Sequence, residues 1–362
     1  MERRQIRGAP VSPTRHAWLP SATVIPVAAL IFGILPLSRP ARSEQQRFDR
    51  RQQSKLDDAL RRESDALVEL ADTAMSGRRG PTDFSMEWRN DFLKAQPGTF
   101  VPFTIAIDTT IRSPWGALMY VRVTERPSNP ARRRRDMPFP YETIFPVDTG
   151  QTSVQPVRIR RGFAVPPGSY TICVVLRERP ANPMDRRTGT QKTSVLVRDV
   201  DVPDFWTEGL TTSTVMLAER VEQLSETVPA ARLDENPYVV GTSRIHPAGG
   251  SSFSRESELI VVFLIYNPSV GPDRHFDVQV DYYLYRKVRE GERYVTRTNP
   301  QRFNPSMMGA HFDPASGQPV LAGQGIPLSS FEVGDYRLGI TVTDLLSRKS
   351  VARDVTFTVI GS

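Results

Sequence analysis

From Phe84 to the C-terminus the chain alternates apolar and polar residues in short runs, each closed by Pro, Gly, Asn or Asp. Alternation with period two places successive side chains on opposite faces of an extended strand. The clearest run is Phe276, Val278, Val280, Tyr282 and Leu284, with Asp277, Gln279, Asp281, Tyr283 and Tyr285 on the other face. The pattern predicts strands over Phe100–Asp108, Ala117–Thr124, Ser153–Arg160, Ser169–Arg177 and Lys192–Val202. A second set covers Ser213–Glu219, Tyr238–His246, Glu258–Asn267, Phe276–Val288, Asp335–Thr343 and Ser350–Val359. Glu258–Asn267 is apolar on both faces, as a central strand covered on both sides would be. A parallel sheet would need helices between its strands, and the pattern shows none, so the fold class is mainly β, built of sandwiches.

One segment breaks the texture. Residues 44–76 hold no proline or glycine, and Gln53, Leu56, Leu60, Glu63, Leu67, Leu70 and Ala74 follow a 3-4 spacing along one seam. This predicts an amphipathic helix, laid against a sandwich or a partner and ended by Gly77 and Gly80-Pro81. Ahead of it, Arg3, Arg4, Arg7 and Arg15 precede the apolar stretch Ala17–Leu37, and Ala41-Arg42-Ser43 supplies small residues after it. That order is that of an export signal, read as residues 1–43. The alternative is a retained anchor, which Pro20, Pro26 and Pro36 make too interrupted for a span of about 20 residues. A membrane enters only through this leader, if it is not cleaved.

An internal repeat divides the β region. Pro167-Gly168-Ser169-Tyr170-Thr171-Ile172 resembles Val333-Gly334-Asp335-Tyr336-Arg337-Leu338, and each is followed by a closing strand with Arg-Asp-Val, at Arg198–Val200 and Arg353–Val355. The expected organisation is signal peptide 1–43, helical segment 44–80, first sandwich 81–205 and second sandwich 206–362. Phe205-Trp206 would wedge between the two.

Trp88-Arg89-Asn90-Asp91-Phe92-Leu93-Lys94-Ala95-Gln96 followed by Phe100-Val101-Pro102-Phe103-Thr104 resembles a segment of uncharacterised exported bacterial proteins. So do Tyr238-Val239-Val240-Gly241 leading into Leu259–Asn267, and Gly334-Asp335-Tyr336 through Val359. Similar immunoglobulin-like sandwich regions accompany von Willebrand A-type or GWxTD modules in large secreted proteins. The resemblance implies two tandem immunoglobulin-like β-sandwiches and no particular activity. This chain lacks the Asp-x-Ser-x-Ser and Gly-Trp-x-Thr-Asp motifs, so functions resting on them do not transfer.

Composition changes the picture in three places. The 31 prolines among 362 residues agree with a chain of turns and strands rather than helices. The single cysteine, Cys173, excludes an intrachain disulfide framework, and its place beside Val174 and Val175 predicts a buried thiol. The net charge of +7 invites a nucleic-acid reading, but residues 1–43 carry six arginines against Glu2 and so account for +5 of it. The remaining 41 bases and 39 acids nearly balance, nucleic acid is a poor partner for an exported chain, and no aromatic interleaving supports base stacking.

Catalytic motifs are absent from the sequence: no Gly-x-Ser-x-Gly elbow, phosphate-cradling glycine loop, His-Glu-x-x-His or Cys-x-x-Cys occurs. Three features remain as candidate contacts. Arg132, Arg133, Arg134 and Arg135 form a basic block in a proline-bounded loop, read either as a patch for anionic partners or as a solvated loop tip. Asp199, Asp201 and Asp204 offer hard oxygens for calcium at the domain junction, or else an acidic, soluble edge strand. Tyr283 and Tyr285 project from a polar face and could stack on a sugar or anchor a protein, unless a loop or the helix covers them. The function read from the sequence is a non-catalytic exported interaction or scaffolding protein, in the periplasm or at the cell surface, binding an envelope protein. The alternative is a carbohydrate-binding module of an envelope or polymer-processing system, and a third reading is an orphan hydrolase.

Overall fold

The structure is a computed structural model that describes residues 41–96, 98–108, 111, 113–126, 138–147, 156–182, 191–309 and 312–361, giving the backbone alone for 41–56 and 273. The fold is mainly β. Contacts divide the chain into two compact units after Gln52, and in the first of them only helical residues 41–52 are described. The leader and the Arg132–Arg135 block lie outside the described residues. No helix among the described residues is long and apolar enough to cross a membrane.

Helix α1 spans Ala41–Met75, starting three residues earlier than the seam predicts and so taking in Ala41-Arg42-Ser43. The strands that follow are β1 (Met86–Asn90), β2 (Leu93–Lys94), β3 (Thr99–Ile107), β4 (Ala117–Glu125), β5 (Tyr141–Val147), β6 (Val157–Val165), β7 (Gly168–Glu178) and β8 (Thr193–Val202). They form two antiparallel sheets. One has the order β5-β4-β7-β8; in the other β3 pairs with β1 and β2 on one side and β6 on the other. Val101, Phe103, Ile105 and Ile107 of β3 meet Met119, Val121 and Val123 of β4 and Ile172, Val174 and Leu176 of β7 in one buried cluster. Alternate residues of three strands thus close the space between the sheets.

The second half contains β9 (Thr211–Thr212), β10 (Met216–Gln223), β11 (Val239–Val240), β12 (Ser243–Pro247), β13 (Ser252–Ser254), β14 (Glu258–Tyr266), β15 (Val278–Val288), β16 (Gly291–Arg297), β17 (Gln301–Phe303), β18 (Val320–Pro327), β19 (Gly334–Asp344) and β20 (Lys349–Ile360). One sheet runs β11-β12-β10-β14-β18 with β9 beside β14; the other runs β13-β20-β19-β15-β16 with β17 beside β15. Leu259, Val261, Phe263 and Ile265 of β14 face Val278, Val280, Tyr282 and Leu284 of β15 across a second core. The segment predicted as one strand over Tyr238–His246 is instead the tight hairpin β11–β12, turned at Gly241 with φ +59°. A left-handed φ suits glycine, which carries no Cβ to clash.

The sequence repeat is structural. Tyr170 Oη donates to the Pro166 carbonyl at 2.8 Å, and Tyr336 Oη donates to the Glu332 carbonyl at 2.7 Å, four residues upstream in each case. Both rings are buried, and both strands pair with the closing strand that carries Arg-Asp-Val. Such a corner pins the turn entering the strand to the strand itself. Tyr170→Phe and Tyr336→Phe are each expected to lower stability by about 1 kcal/mol, the net value of one intramolecular hydrogen bond, and to add when combined. Urea denaturation of the two single variants and the double checks both statements.

Helix α1 rests on the outer face of the β4–β7 sheet. Leu67, Ala71 and Ala74 pack against Leu118, Tyr120, Cys173 and Val175. The buried stripe is turned from the predicted seam, leaving Leu60 exposed and bringing in Ala71, because small alanines let the helix axis approach the sheet closely. β4 is therefore covered on both faces. Cys173 lies under the helix rather than between the sheets, and burial pushes its thiol up to about 11. At neutral pH it is a protonated, inert filler.

Two ion pairs fasten the helix at its edges. Arg122, on the covered face of β4, donates from Nε to Tyr120 Oη at 2.6 Å and from its terminal nitrogens to Asp72 of the helix and Glu142 of β5. Its guanidinium also lies 4.2 Å from the Phe139 ring centre. Glu63, which the 3-4 seam placed among apolar positions, is nearly buried and accepts from Arg179 Nε at 2.9 Å.

Candidate functional site

A third apolar cluster joins the two pairs of sheets. Val262, Leu264 and Tyr266, on the face of β14 turned away from its own core, pack with Leu93, Phe205, Met216, Ala218, Tyr238 and Ile245. Partly buried Phe92 and Phe100 join from the first sheet pair. This is why Glu258–Asn267 reads as apolar on both faces. Gly162 permits the approach, since a Cβ there would run into the Phe100 ring, and its N–H donates to the Asp234 carbonyl at 2.9 Å.

Beside this cluster opens a groove of about 970 Å³. Phe100, Leu264 and Tyr266 line it, together with the end of β2 at Lys94–Gln96, the connecting segment at Trp206, the Ala230–Asp234 turn and Pro314–Gly317. Tyr141 also lines it and stacks on Phe163 with ring centres 5.2 Å apart. Volumes of this order accept a small ligand or several residues of an extended segment.

Trp206 is the most accessible aromatic of the groove. Its side chain is held in place: Nε1 donates to the Ala95 and Gly98 carbonyls, both at 3.0 Å, and its backbone N–H donates to Asp204 Oδ1 at 2.8 Å. Lys94 Nζ sits 4.4 Å from the centre of the indole ring and donates to Asn267 Oδ1 at 2.8 Å. Burial holds the Lys94 ammonium below its ordinary range, with Asp204 opposing. Asn267 occupies the left-handed region at φ +54°, which asparagine tolerates, and its amide donates to the Thr207 carbonyl at 3.1 Å. The result is an oriented, half-exposed indole with a cation on its ring, next to an amide, a carboxylate and an apolar floor. That set of groups binds by apolar contact, stacking and hydrogen bonding.

The candidates read from the sequence fall elsewhere. Asp199 and Asp201 lie on the exposed face of β8, where Arg126 donates to each at 2.8 Å and Ser169 and Thr171 hydroxyls add further hydrogen bonds. The Thr171 hydroxyl and Arg126 hold the Asp199 carboxyl below its ordinary range. A guanidinium thus occupies the position between carboxylates that the calcium reading gave to a metal. Asp204 sits apart, capping Trp206, and no group of three or more His, Cys, Asp or Glu side chains suited to a metal occurs among the described residues. Tyr283 and Tyr285 lie on the outer face of the second sheet pair, away from the groove. Tyr285 is taken up locally, with the Arg337 guanidinium 4.2 Å from its ring centre and Tyr294 edge-on at 5.9 Å. Helix α1, the alternative cover for that face, lies on the β4–β7 sheet instead. Of the expected wedge, Phe205 is buried against Tyr266 at 5.4 Å, while Trp206 stays at the rim.

Behind the groove the junction buries charge that the sequence pattern does not announce. Asp91, between β1 and β2, lies beside the Tyr238 hydroxyl, and burial pushes its carboxyl up to about 6, with the hydrogen bond from Tyr238 partly offsetting this. Arg160 and the hydroxyl of Thr104 are the other polar groups near Tyr238. A carboxyl whose folded value is raised binds its proton more tightly in the folded state, so it removes stability as pH rises from about 4 through about 6. Wild-type melting temperature is expected to fall across that window, and Asp91→Asn to flatten that part of the profile and to melt higher above pH 6. Calorimetric scans of both proteins between pH 4 and 8 check the sign; a steeper profile in the variant would contradict it.

No protein-family model matches the chain, and a search of curated proteins finds no match. Among solved structures, a mutant β-glucosidase from Listeria innocua in complex with laminaribiose overlaps 34% of this chain and 18% of its own, at 13% identity and a TM-score of 0.22. The same organism's β-glucosidase in complex with isofagomine overlaps 39% and 22%, at 13% identity and the same TM-score. The chain thus spans about a fifth of those enzymes' length. Fibronectin(III)-like modules of Clostridium thermocellum CbhA overlap 72% of this chain and 86% of theirs, at 11% identity and a TM-score of 0.17.

Proposed function

We propose that the protein is a non-catalytic, exported interaction protein made of two tandem immunoglobulin-like β-sandwiches, 81–205 and 206–362, that seats a protein partner of the cell envelope in the groove between them. The observation that carries this reading is the groove itself, with Trp206 oriented at its rim by three hydrogen bonds and Lys94 over its ring. A rigid, partly exposed tryptophan beside an apolar floor is the kind of anchor that dominates protein interfaces. The strand orders support the immunoglobulin-like class. In each half the β4–β7–β8 or β15–β19–β20 triplet faces the sheet built around β3 or β14, and a tyrosine corner opens the penultimate strand. Export rests on the basic and apolar order of residues 1–43.

A second reading, a carbohydrate-binding module, is favoured by the pairing of Trp206 and Tyr141 with the Gln96 and Asn267 amides and the Asp234 carboxylate along one groove. Ring faces flanked by amide and carboxylate groups suit sugar hydroxyls and the apolar faces of pyranose rings. Capture from envelope extract with the tagged full chain, wild type against Trp206→Ala, separates the two. A protein recovered by the wild type and lost from the variant supports the first reading. Polysaccharide without protein overturns it in favour of the second, and recovery indifferent to Trp206 removes the groove from both.

A further inference from the structure

A second, smaller cavity of about 330 Å³ lies at the junction, distinct from the groove. Its walls come from both sheet pairs: β1, β3 and β6 on one side, and the start of β10, Tyr238 and the Pro247–Ser251 loop on the other. Two polar atoms here are buried without a partner. Thr104 Oγ1 lies at the Tyr238 hydroxyl but completes no hydrogen bond of ordinary geometry although Thr104 is only 9% exposed, and Arg160 Nε likewise has none. Among the described residues Arg160 and Arg158 form no salt bridge, whereas Arg89 at the same cavity is paired with Glu87 at 2.7 Å. The Arg158 guanidinium is packed so closely on Gly249 that a Cβ there would collide with it. Arg160 is half-buried, with Glu219 acting on it only from beyond salt-bridge distance. A buried Nε without an acceptor and a buried hydroxyl without a well-formed hydrogen bond are both costly, and both are relieved by the same thing, an oxyanion. Ala106, beside Thr104 on β3, and Met216 and Leu217 across the junction supply the apolar part of the lining; its acids are Glu87, paired with Arg89, and Asp91, which lies at the Tyr238 hydroxyl.

We infer that this cavity binds a small organic carboxylate, its oxygens held by Arg160 and Thr104 with Arg158 at the edge, and its short apolar body against Ala106, Met216 and Leu217. The volume exceeds that of a bare inorganic ion and falls at the lower end for small-ligand sites. Arginine's planar fork matches a carboxylate in two parallel hydrogen bonds, and the hydroxyl supplies a third donor. Because the two sheet pairs both contribute walls, occupancy would also stiffen the junction, independently of what fills the groove.

The test is titration calorimetry on the full chain with hexanoate, acetate, inorganic phosphate and hexanamide as probes. Hexanoate is expected to bind saturably and more tightly than acetate, through its apolar tail, with hexanamide and phosphate at least about tenfold weaker. Arg160→Gln is expected to weaken hexanoate by about tenfold or more. Because that change sits in a sheet, Thr104→Val serves as the second variant. It is isosteric, removes the unpartnered hydroxyl, and is expected to melt no lower than wild type while binding hexanoate severalfold more weakly. Saturable binding of hexanoate that is weakened in both variants supports the site. No saturable heat with hexanoate, or equal affinity in wild type and Thr104→Val, overturns it, and tighter binding of phosphate than of hexanoate overturns the choice of carboxylate.

Discussion

Tyr266→Ala is expected to lower stability by about 4 kcal/mol and to resolve a single unfolding transition into two. The two sheet pairs have separate cores with no residue in common, and the cluster that ties them together is built on the outer face of β14. Tyr266 is 3% exposed there, meets Phe205 at 5.4 Å and accepts a hydrogen bond on its hydroxyl from the Lys94 backbone N–H at 3.0 Å. Deleting the ring leaves a cavity between two rigid sheets that cannot collapse into it, which places the cost at the upper end for an aromatic truncation. Each core keeps its own contacts, so the halves unfold separately once the tie is lost. Differential scanning calorimetry reads the number of transitions directly. Tyr266→Phe, which removes the hydroxyl alone, is expected to cost about 1 kcal/mol and to keep one transition. A single, unshifted transition in the alanine variant would show that another contact couples the halves.

Arg122→Ala is expected to cost about 3 kcal/mol and to loosen α1 from the sheet beneath it. The guanidinium is almost fully buried, while its partners Asp72 and Glu142 keep 62% and 40% side-chain exposure. On removal of the arginine those carboxylates return to water. The expected loss therefore comes from the vacated packing against Phe139 and from the Tyr120 hydroxyl left with Glu142 alone, more than from charge. Asp72→Asn, which leaves Arg122 bound to Glu142 and Tyr120, is expected to cost about 1 kcal/mol. Urea denaturation gives both values, and amide hydrogen exchange along residues 57–75 shows whether the helix opens before the sheets do. Unchanged exchange in Arg122→Ala would mean that the apolar stripe alone holds the helix.

The sequence was most legible where one strand carries its own environment. β15 shows its buried face in the alternation of Val278, Val280, Tyr282 and Leu284, and β14 shows that both its faces are covered. The tyrosine of each repeat marks a corner because the glycine and tyrosine are two residues apart, a local signal. Other strands carried no such signal. β18 holds Gly323, Gly325 and Pro327, and it is a strand because β14 pairs with it residue by residue. All seven residues of β16 are exposed, so no burial pattern exists to read. β5 contains Pro146, which an edge strand tolerates because one row of its backbone groups faces outward.

By itself the sequence determined the fold class, the central strands and the burial of Cys173, since each follows from periodicity or from immediate neighbours. The tertiary structure decided where α1 lies, what Arg122, Asp199 and Tyr285 are paired with, and which residues make the groove and the smaller cavity. Lys94, Trp206, Asp234 and Asn267 are separated by up to 173 positions and meet because two sheets pack through the outer face of β14. A local pattern states which face of a strand is apolar; it does not state what will cover that face, and the groove is made of what covers it.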